Sequence, residues 1–403
     1  MTASAPPRLP FFASPVAFLM TTTFINWLSF ASWQALLNNF AKEAAGFTGW
    51  EIGLLQSVRE IPGFLAFTAI VWFMLMREQT LAYASLVVLG FGIAITGYFP
   101  SVPGLLVTTF VMSVGFHYFE TANQALSLQV LPKVDAPRML GRIAGAAAAA
   151  QLAAYGLIAL AWWGLQPSYA TLYLASGTAT VVLAVAAAAS FRRFSGPTPQ
   201  RKELVLRRRY WLYYALTFMS GARRQLFMAF GGWLLVERFG YDLSGLATLL
   251  FACCAINIVA APLFGRLLGR IGERNTMVIE NVSLIVVFLG YASTTSGIIA
   301  GGLFVLDGVF FTLAMAQRTY FQKIADPADI APSAGVAFTI NHIASVFVPV
   351  VFGIIWIKDP VIVFQIGAAI ATASLSLAFL VPRRPLPGRE TIFGDGREAV
   401  PAE

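Results

Sequence analysis

Charge is the scarcest thing in this 403-residue chain: Asp, Glu, Lys and Arg together make up 11% of it. A soluble domain carries roughly 25%, so most of this chain is not built to face water. Cysteine is scarcer still, with Cys253 and Cys254 adjacent inside an apolar run. Such a pair supplies neither a disulfide framework nor a metal-ligand spacing. Enzyme signatures are missing as well. There is no G-x-S-x-G elbow, Walker loop, G-x-G-x-x-G after a strand or H-E-x-x-H. Hydrolysis and ATP coupling therefore have no residues to carry them, the chain is not expected to be an enzyme, and no cofactor is expected. The first thirteen residues lack the ordered charge, apolar core and cleavage site of a signal peptide. The run from Pro15 to Phe40 is too long for one and reads as a retained span.

Apolar surface is what the chain has in excess. Hydrophobic residues are 58% of it and the mean hydropathy is +0.73. A window of about 20 residues finds twelve spans, near 14–40, 50–76, 80–98, 102–131, 139–164, 169–191, 210–236, 244–265, 276–294, 297–322, 333–357 and 361–382. The expected fold class is therefore all-α integral membrane, with twelve transmembrane helices in two six-helix bundles, residues 1–192 and 210–383. The linker between them, 193–209, is basic. From Arg192 to Arg209 there are seven basic residues and one acid, with Pro197 and Pro199. The tail, 384–403, reads as disordered.

Four arginines (Arg59, Arg223, Arg224, Arg318) and three acids (Glu60, Glu120, Asp307) sit deep within these spans. A charge at the bilayer centre costs roughly 2.5–3.5 kcal/mol, so seven facing lipid would cost about 20 kcal/mol. That exceeds the roughly 5–15 kcal/mol that keeps a protein folded. The charges must line a wet cavity or pair inside the bundle.

Lysine and arginine outside the spans are strongly one-sided. Twenty of the 27 fall on the face that carries both termini, against Lys42, Arg238 and Lys358 on the other. The positive-inside rule makes that face cytoplasmic, in a multi-pass protein expected in the bacterial inner membrane. The basic linker then faces lipid headgroups, and no nucleic-acid partner is expected. The two halves also repeat. Asn123–Gln129 reads NQALSLQ and Ala316–Gln322 reads AQRTYFQ, with Gln124 and Gln317, and Gln129 and Gln322, each 193 residues apart. A parallel duplication of six helices is a transporter architecture.

With these features the chain resembles the major facilitator superfamily over residues 14–382. The run Gly265-Arg266-Leu267-Leu268-Gly269-Arg270-Ile271-Gly272-Glu273-Arg274 is similar to the family's G-x-L-x-D-R-x-G-R-R/K loop, with Gly269 where Asp is usual. The first-half counterpart, Phe73–Gln79, keeps one basic residue. The resemblance implies a solute transporter working by alternating access, with spans 1, 2, 4, 5, 7, 8, 10 and 11 around a cavity and the others as supports. It also implies a gate formed by Gly265, Arg266, Arg270, Gly272 and Arg274, with Glu280 as an acidic partner.

The mid-span polar residues fall on the cavity set. Expected substrate contacts are Asn26, Gln34, Arg59, Gln124, Arg223, Arg224, Asn257, Gln317, Asn341 and His342. A guanidinium in a low-dielectric cavity suits a carboxylate, phosphate or sulfonate, because its planar fork binds bidentately. Adjacent arginines point about 100° apart, so one of Arg223 and Arg224 meets ligand while the other pairs with an acid, Asp307 being available. Expected proton carriers are Glu60, His117, Glu120 and Asp307. On span 4, His117, Glu120, Thr121 and Gln124 form one stripe, where a histidine one turn from a carboxylate can share a proton or pin the helix to a neighbour. Metal carriers show more ligands at i, i+4 spacing, and none is expected here. The reading is proton-coupled transport of a small organic anion, by a protein acting as a monomer. The alternatives are proton-antiport export of amphipathic compounds, which the 34 phenylalanines would suit, and a non-transporting receptor or assembly protein of the same fold.

Overall fold

The computed structural model describes residues 10–68, 71–72, 75–131, 136–194, 206–326 and 329–394. Arg8, Lys133, most of the linker (195–205) and the end of the tail (395–403) lie outside the described residues. Helices account for nearly all that is described. They are α1 Pro15–Glu43, α2 Gly49–Phe64, α3 Glu78–Thr96, α4 Val102–Val130, α5 Ala136–Leu165, α6 Tyr169–Ser190, α7 Trp211–Gln225, α8 Gly232–Phe239, α9 Leu243–Ser293, α10 Gly297–Phe310, α11 Met315–Ile324, α12 Ile330–Lys358 and α13 Pro360–Phe379. Eight segments are each long and apolar enough to cross a membrane. One of these, α9, is two arms joined at Gly272, whose φ of +80° and ψ of 171° turn the chain. A side chain there would be strained, which is why glycine holds the second glycine position of the loop motif.

Five of the helix starts follow from capping. Ser101, Ser168, Asp242, Ser296 and Asp359 each accept a hydrogen bond from a backbone N–H in the first turn of α4, α6, α9, α10 and α13. Each satisfies a donor the helix cannot pair internally, and Pro360 adds a pre-set φ at the start of α13. Two spans are irregular. Span 7 is α7, a π-helical segment Leu226–Gly231, and α8. Span 10 is α10, a 3-10 stretch Phe311–Ala314, and α11. Asn257 bridges the second break, donating to the Gly308 carbonyl at 3.1 Å and accepting from Thr312 at 2.8 Å.

By its contacts the chain divides into two units, Met1–Leu37 with Leu65–Gln200, and Asn38–Phe64 with Arg201–Glu403. In the first, α3 packs on α4 and α6; in the second, α9 packs on α13 and α12 on α7. The sequence places α2 with the first six spans, but by its contacts it belongs to the second unit. The reason is a backbone-to-backbone seat on α12. A Cβ on Gly53 would lie 2.3 Å from the Pro349 carbonyl oxygen, and one on Gly353 would lie 3.0 Å from that of Gly49. Without a hydrophobic drive between helices in lipid, such close approach is what holds them. Gly53→Val should therefore unseat α2 and cost at least the roughly 1–3 kcal/mol of an overpacked core. Thermal unfolding of the purified protein checks this, with Gly141→Val, which meets open space, as the tolerated control.

The tail departs from expectation. Residues 384–394 are ordered: Leu386-Pro387-Gly388-Arg389 closes a turn with Arg389 N–H donating to the Leu386 carbonyl at 2.9 Å. Gly388 supplies the positive φ that such a turn needs. Proline and charge suggested disorder, but tertiary contacts to the Tyr320 hydroxyl and to the α13 end hold this segment in place.

Candidate functional site

The second unit gathers the ionisable residues of spans 2, 7 and 11. On α2, Arg59 donates through Nε to Gln56 at 2.7 Å and pairs through Nη2 with its neighbour Glu60. Both are almost fully buried, at 2% and 1% exposure. From α7, Gln225 donates to Glu60 at 3.4 Å. From α12, the His342 ring lies 3.6 Å from the other Glu60 oxygen through Nε2, while Nδ1 sits 2.9 Å from the Phe338 carbonyl. A carbonyl only accepts, so Nδ1 carries a hydrogen. Nε2 and the carboxylate are then two acceptors face to face unless a proton sits between them. Arg224 is half-buried and close enough for its charge to be felt by Arg59 and His342. Among the described residues no carboxylate lies within ion-pair distance of it. Asn341 is beside this group, with its backbone carbonyl against Gly221 and its side chain accepting from Ser345 at 3.4 Å.

Arg223 points elsewhere. It donates to Asn281 at 2.8 Å and to Glu280 at 3.1 Å, both on the second arm of α9. Arg223, Glu280 and Asp307 are all buried, at 3%, 0% and 2% exposure. Asp307 stands near enough to Arg223 to feel its charge, but one of its oxygens has no partner among the described residues. The acid is corrected here: Arg223 makes an interhelical ion pair, as one of the two adjacent arginines was expected to, but with Glu280 rather than Asp307. Glu280, expected as an acidic partner of the 265–274 loop, makes its ion pair with Arg223. Asn257 is likewise occupied, in bridging the break in span 10. Gln317 is buried on α11, its amide nitrogen without a partner among the described residues.

In the first unit Asn26 donates to Glu120 at 2.9 Å, joining α1 to α4, so the Glu120 carboxylate is bonded across to α1. His117 is buried beside Phe116. Gln34 accepts from Tyr155 at 3.2 Å and Gln124 is exposed.

The loop motif is largely helical. Gly265, Arg266 and Arg270 lie on the exposed face of the first α9 arm and Gly272 makes the turn. Beyond it, Glu273 pairs with Lys323 of α11 at 2.6 Å and Arg274 lies over the Phe379 ring at 5.6 Å. The contacts that tie this turn to spans 10 and 12 thus come from Glu273 and Arg274.

Sequence reading missed a second polar cluster, at the linker's end. Arg207 grips Asp329 with two bonds of 2.5 and 2.9 Å, Arg209 pairs with Asp326, and the Tyr210 hydroxyl donates to Asp329 at 3.0 Å. These two linker arginines bind acids rather than facing lipid alone. The pair Asp326 and Asp329, in a chain so poor in acid, was the available signal. The Arg207 hydrogen bond holds the Asp329 carboxyl below its ordinary value of 3.8. A depressed carboxylate pKa contributes stability at neutral pH that is lost as pH falls through the folded value. Asp329→Asn should therefore flatten the acid limb of the stability–pH curve below about pH 4, read by thermal unfolding from pH 7 to pH 3.

The comparisons with known proteins match this architecture. The sequence profile of the Major Facilitator Superfamily fits residues 19–349, and the chain belongs to that family. It is a multi-pass membrane protein with the family's transporter fold. Among solved structures it is similar to the nucleoside transporter NupG, with a TM-score of 0.68 and 15% identity over 91% of this chain and 98% of that one. A bacterial homolog of the human lysosomal transporter Spinster gives 0.70 and 12% identity, covering 92% and 96%. An auto-inhibited peptide transporter of the POT family gives 0.70 and 11%, covering 90% and 95%. No curated protein gives a significant sequence match.

Proposed function

We propose that the protein is a proton-coupled secondary transporter that moves a small organic anion by alternating access. The observation that carries the anion is Arg224. Arg59 and Glu60 cancel each other, whereas Arg224 stands half-buried beside them with no carboxylate partner among the described residues. A guanidinium in that position recognises a carboxylate or phosphate through its fork. The buried amide of Gln225, whose carbonyl has no partner among the described residues, offers polar contact next to it. The proton is supported by one hydrogen-bonding argument and one charge-balance argument. The Glu60–His342 contact closes only with a shared proton. Arg223, Glu280 and Asp307 sum to one net negative charge in a buried cluster, which a proton on Asp307 neutralises. Glu120 and His117 of α4 are further carriers in this reading. It also takes both termini as cytoplasmic, in a bacterial inner membrane, with the monomer as the working unit.

Ligand stabilisation of the purified protein tests it. A ligand at 100 times its Kd adds about 2.7 kcal/mol of apparent stability. Small carboxylates and phosphates should raise the unfolding midpoint while cationic amphiphiles leave it alone. Stabilisation by the amphiphiles alone would favour export of amphipathic compounds instead.

A further inference from the structure

The ordered tail has a face that transport does not use. Phe393, Leu386 and Ile392 project from it at 74%, 57% and 43% exposure, with Pro387 also exposed. Arg383, Arg384 and Arg389 are exposed around them. The sole acid between residues 380 and 394 is Glu390. It is turned inward at 9% exposure, accepting from the Gly388 N–H at 3.1 Å. Among the described residues of the segment, the exposed face therefore carries apolar and cationic groups with no anion among them.

This face cannot hide its apolar groups by folding differently, because it is pinned from behind. The Glu390 carbonyl accepts from the buried Tyr320 hydroxyl at 2.5 Å, and the Ile392 N–H donates to the Leu380 carbonyl at 2.9 Å. Val381, at the root of the segment, is fully buried in an apolar cluster with Leu268, Met277 and Tyr320. The segment follows the α13 span after Phe379, which sets it where the hydrocarbon ends and the headgroups begin.

We propose that residues 383–393 form a membrane-docking hairpin that binds anionic phospholipid. Phe393, Leu386 and Ile392 enter the interface while the three arginines contact headgroup phosphates. Apolar insertion and charge attraction act together in such anchors, and each basic residue near an anionic surface adds roughly fivefold to binding. Apolar groups exposed together and rimmed by polar residues mark protein or membrane interaction sites. Because Tyr320 lies on α11, the docked hairpin ties span 10 to the lipid surface.

The test uses the full-length protein with Cys253→Ala and Cys254→Ala, labelled with a fluorophore at Phe393→Cys, in nanodiscs with or without phosphatidylglycerol. Leu386→Cys is a second probe, and unfolding midpoints are measured alongside. In phosphatidylglycerol discs the label should be quenched by lipid spin-labelled near the headgroup and shielded from iodide. Shielding should fall in pure phosphatidylcholine discs and in the Arg383→Ala, Arg384→Ala, Arg389→Ala variant. Equal iodide access in both lipids overturns the proposal. So does lipid quenching that the triple variant leaves unchanged, and so does shielding from iodide and lipid alike, which would mean that protein covers the face.

Discussion

Replacing Arg224 by Gln should abolish ligand-induced stabilisation while leaving the purified protein as stable as the wild type, and replacing Arg223 should do the reverse. The two residues are neighbours in sequence and opposites in setting. Arg223 is 3% exposed and holds Glu280 and Asn281. Removing it leaves a buried carboxylate unpaired, which costs about 3–5 kcal/mol. Arg223→Gln should therefore yield protein that unfolds early or fails to accumulate, with normal affinity in whatever remains folded. Arg224 is half-buried with no carboxylate among the described residues to strand, so its loss should cost no more than roughly 0.5 kcal/mol of stability. Its loss from a ligand contact is another matter. Removing one partner of a charge pair costs about 2–5 kcal/mol, or roughly 30- to 4,000-fold in affinity. Arg224→Lys keeps the charge without the fork and should fall between. The measurements are unfolding midpoints with and without ligand. Unchanged affinity in Arg224→Gln would remove the main support for an anionic substrate.

Uphill transport should disappear in Glu60→Gln and in Asp307→Asn. In proteoliposomes with an imposed pH gradient, neither variant should accumulate substrate, while exchange of labelled for unlabelled substrate continues. The reason is the same in both: an amide cannot release and rebind the proton that the Glu60–His342 contact needs between its two acceptors and the Arg223–Glu280–Asp307 cluster needs for charge balance. The two sites differ in a way that separates coupling from folding. Glu60→Gln keeps a side chain that can still bond to Gln225, although Arg59 loses its charge partner. Asp307→Asn removes the surplus negative charge and should be at least as stable as the wild type, since a buried unpaired charge is costly. Gradient-driven accumulation at the wild-type rate in both variants would sink proton coupling.

Many of the candidate residues were legible from a simple rule, that charge within a span must be compensated. That rule picked out Arg59, Glu60, Glu120, Arg223, Arg224, Asp307 and Arg318; the first four and Asp307 have a bonded or nearby charged or polar partner, Arg224 stands beside Arg59 and Glu60, and Arg318 is exposed on α11. The partners were harder to read. Arg223 went to Glu280 because α7 faces the second arm of α9, and no periodicity within span 7 reveals which neighbour a side chain will meet. The loop motif named Arg266, Arg270 and Arg274; of these Arg274 makes a contact that ties the turn down, together with Glu273, which the motif did not name. The positive φ at Gly272 reverses the chain just before them, and it decides which side chains point to α11 and α13.

The sequence by itself determined that this is a membrane protein of many spans, because the cost of burying charge and exposing backbone in lipid leaves few alternatives. It also located the residues whose burial needs explaining. The tertiary structure decided what those residues hold. It seated α2 on α12 through Gly53 and Gly353, used Arg223 and Asn257 in helix contacts, left Arg224 without an acid among the described residues, and ordered residues 384–394 against Tyr320. Each of these depends on which surfaces meet across helices far apart in the chain. Local propensity and hydropathy do not encode that, since in lipid the helix faces differ less in hydrophobicity than in how closely they fit.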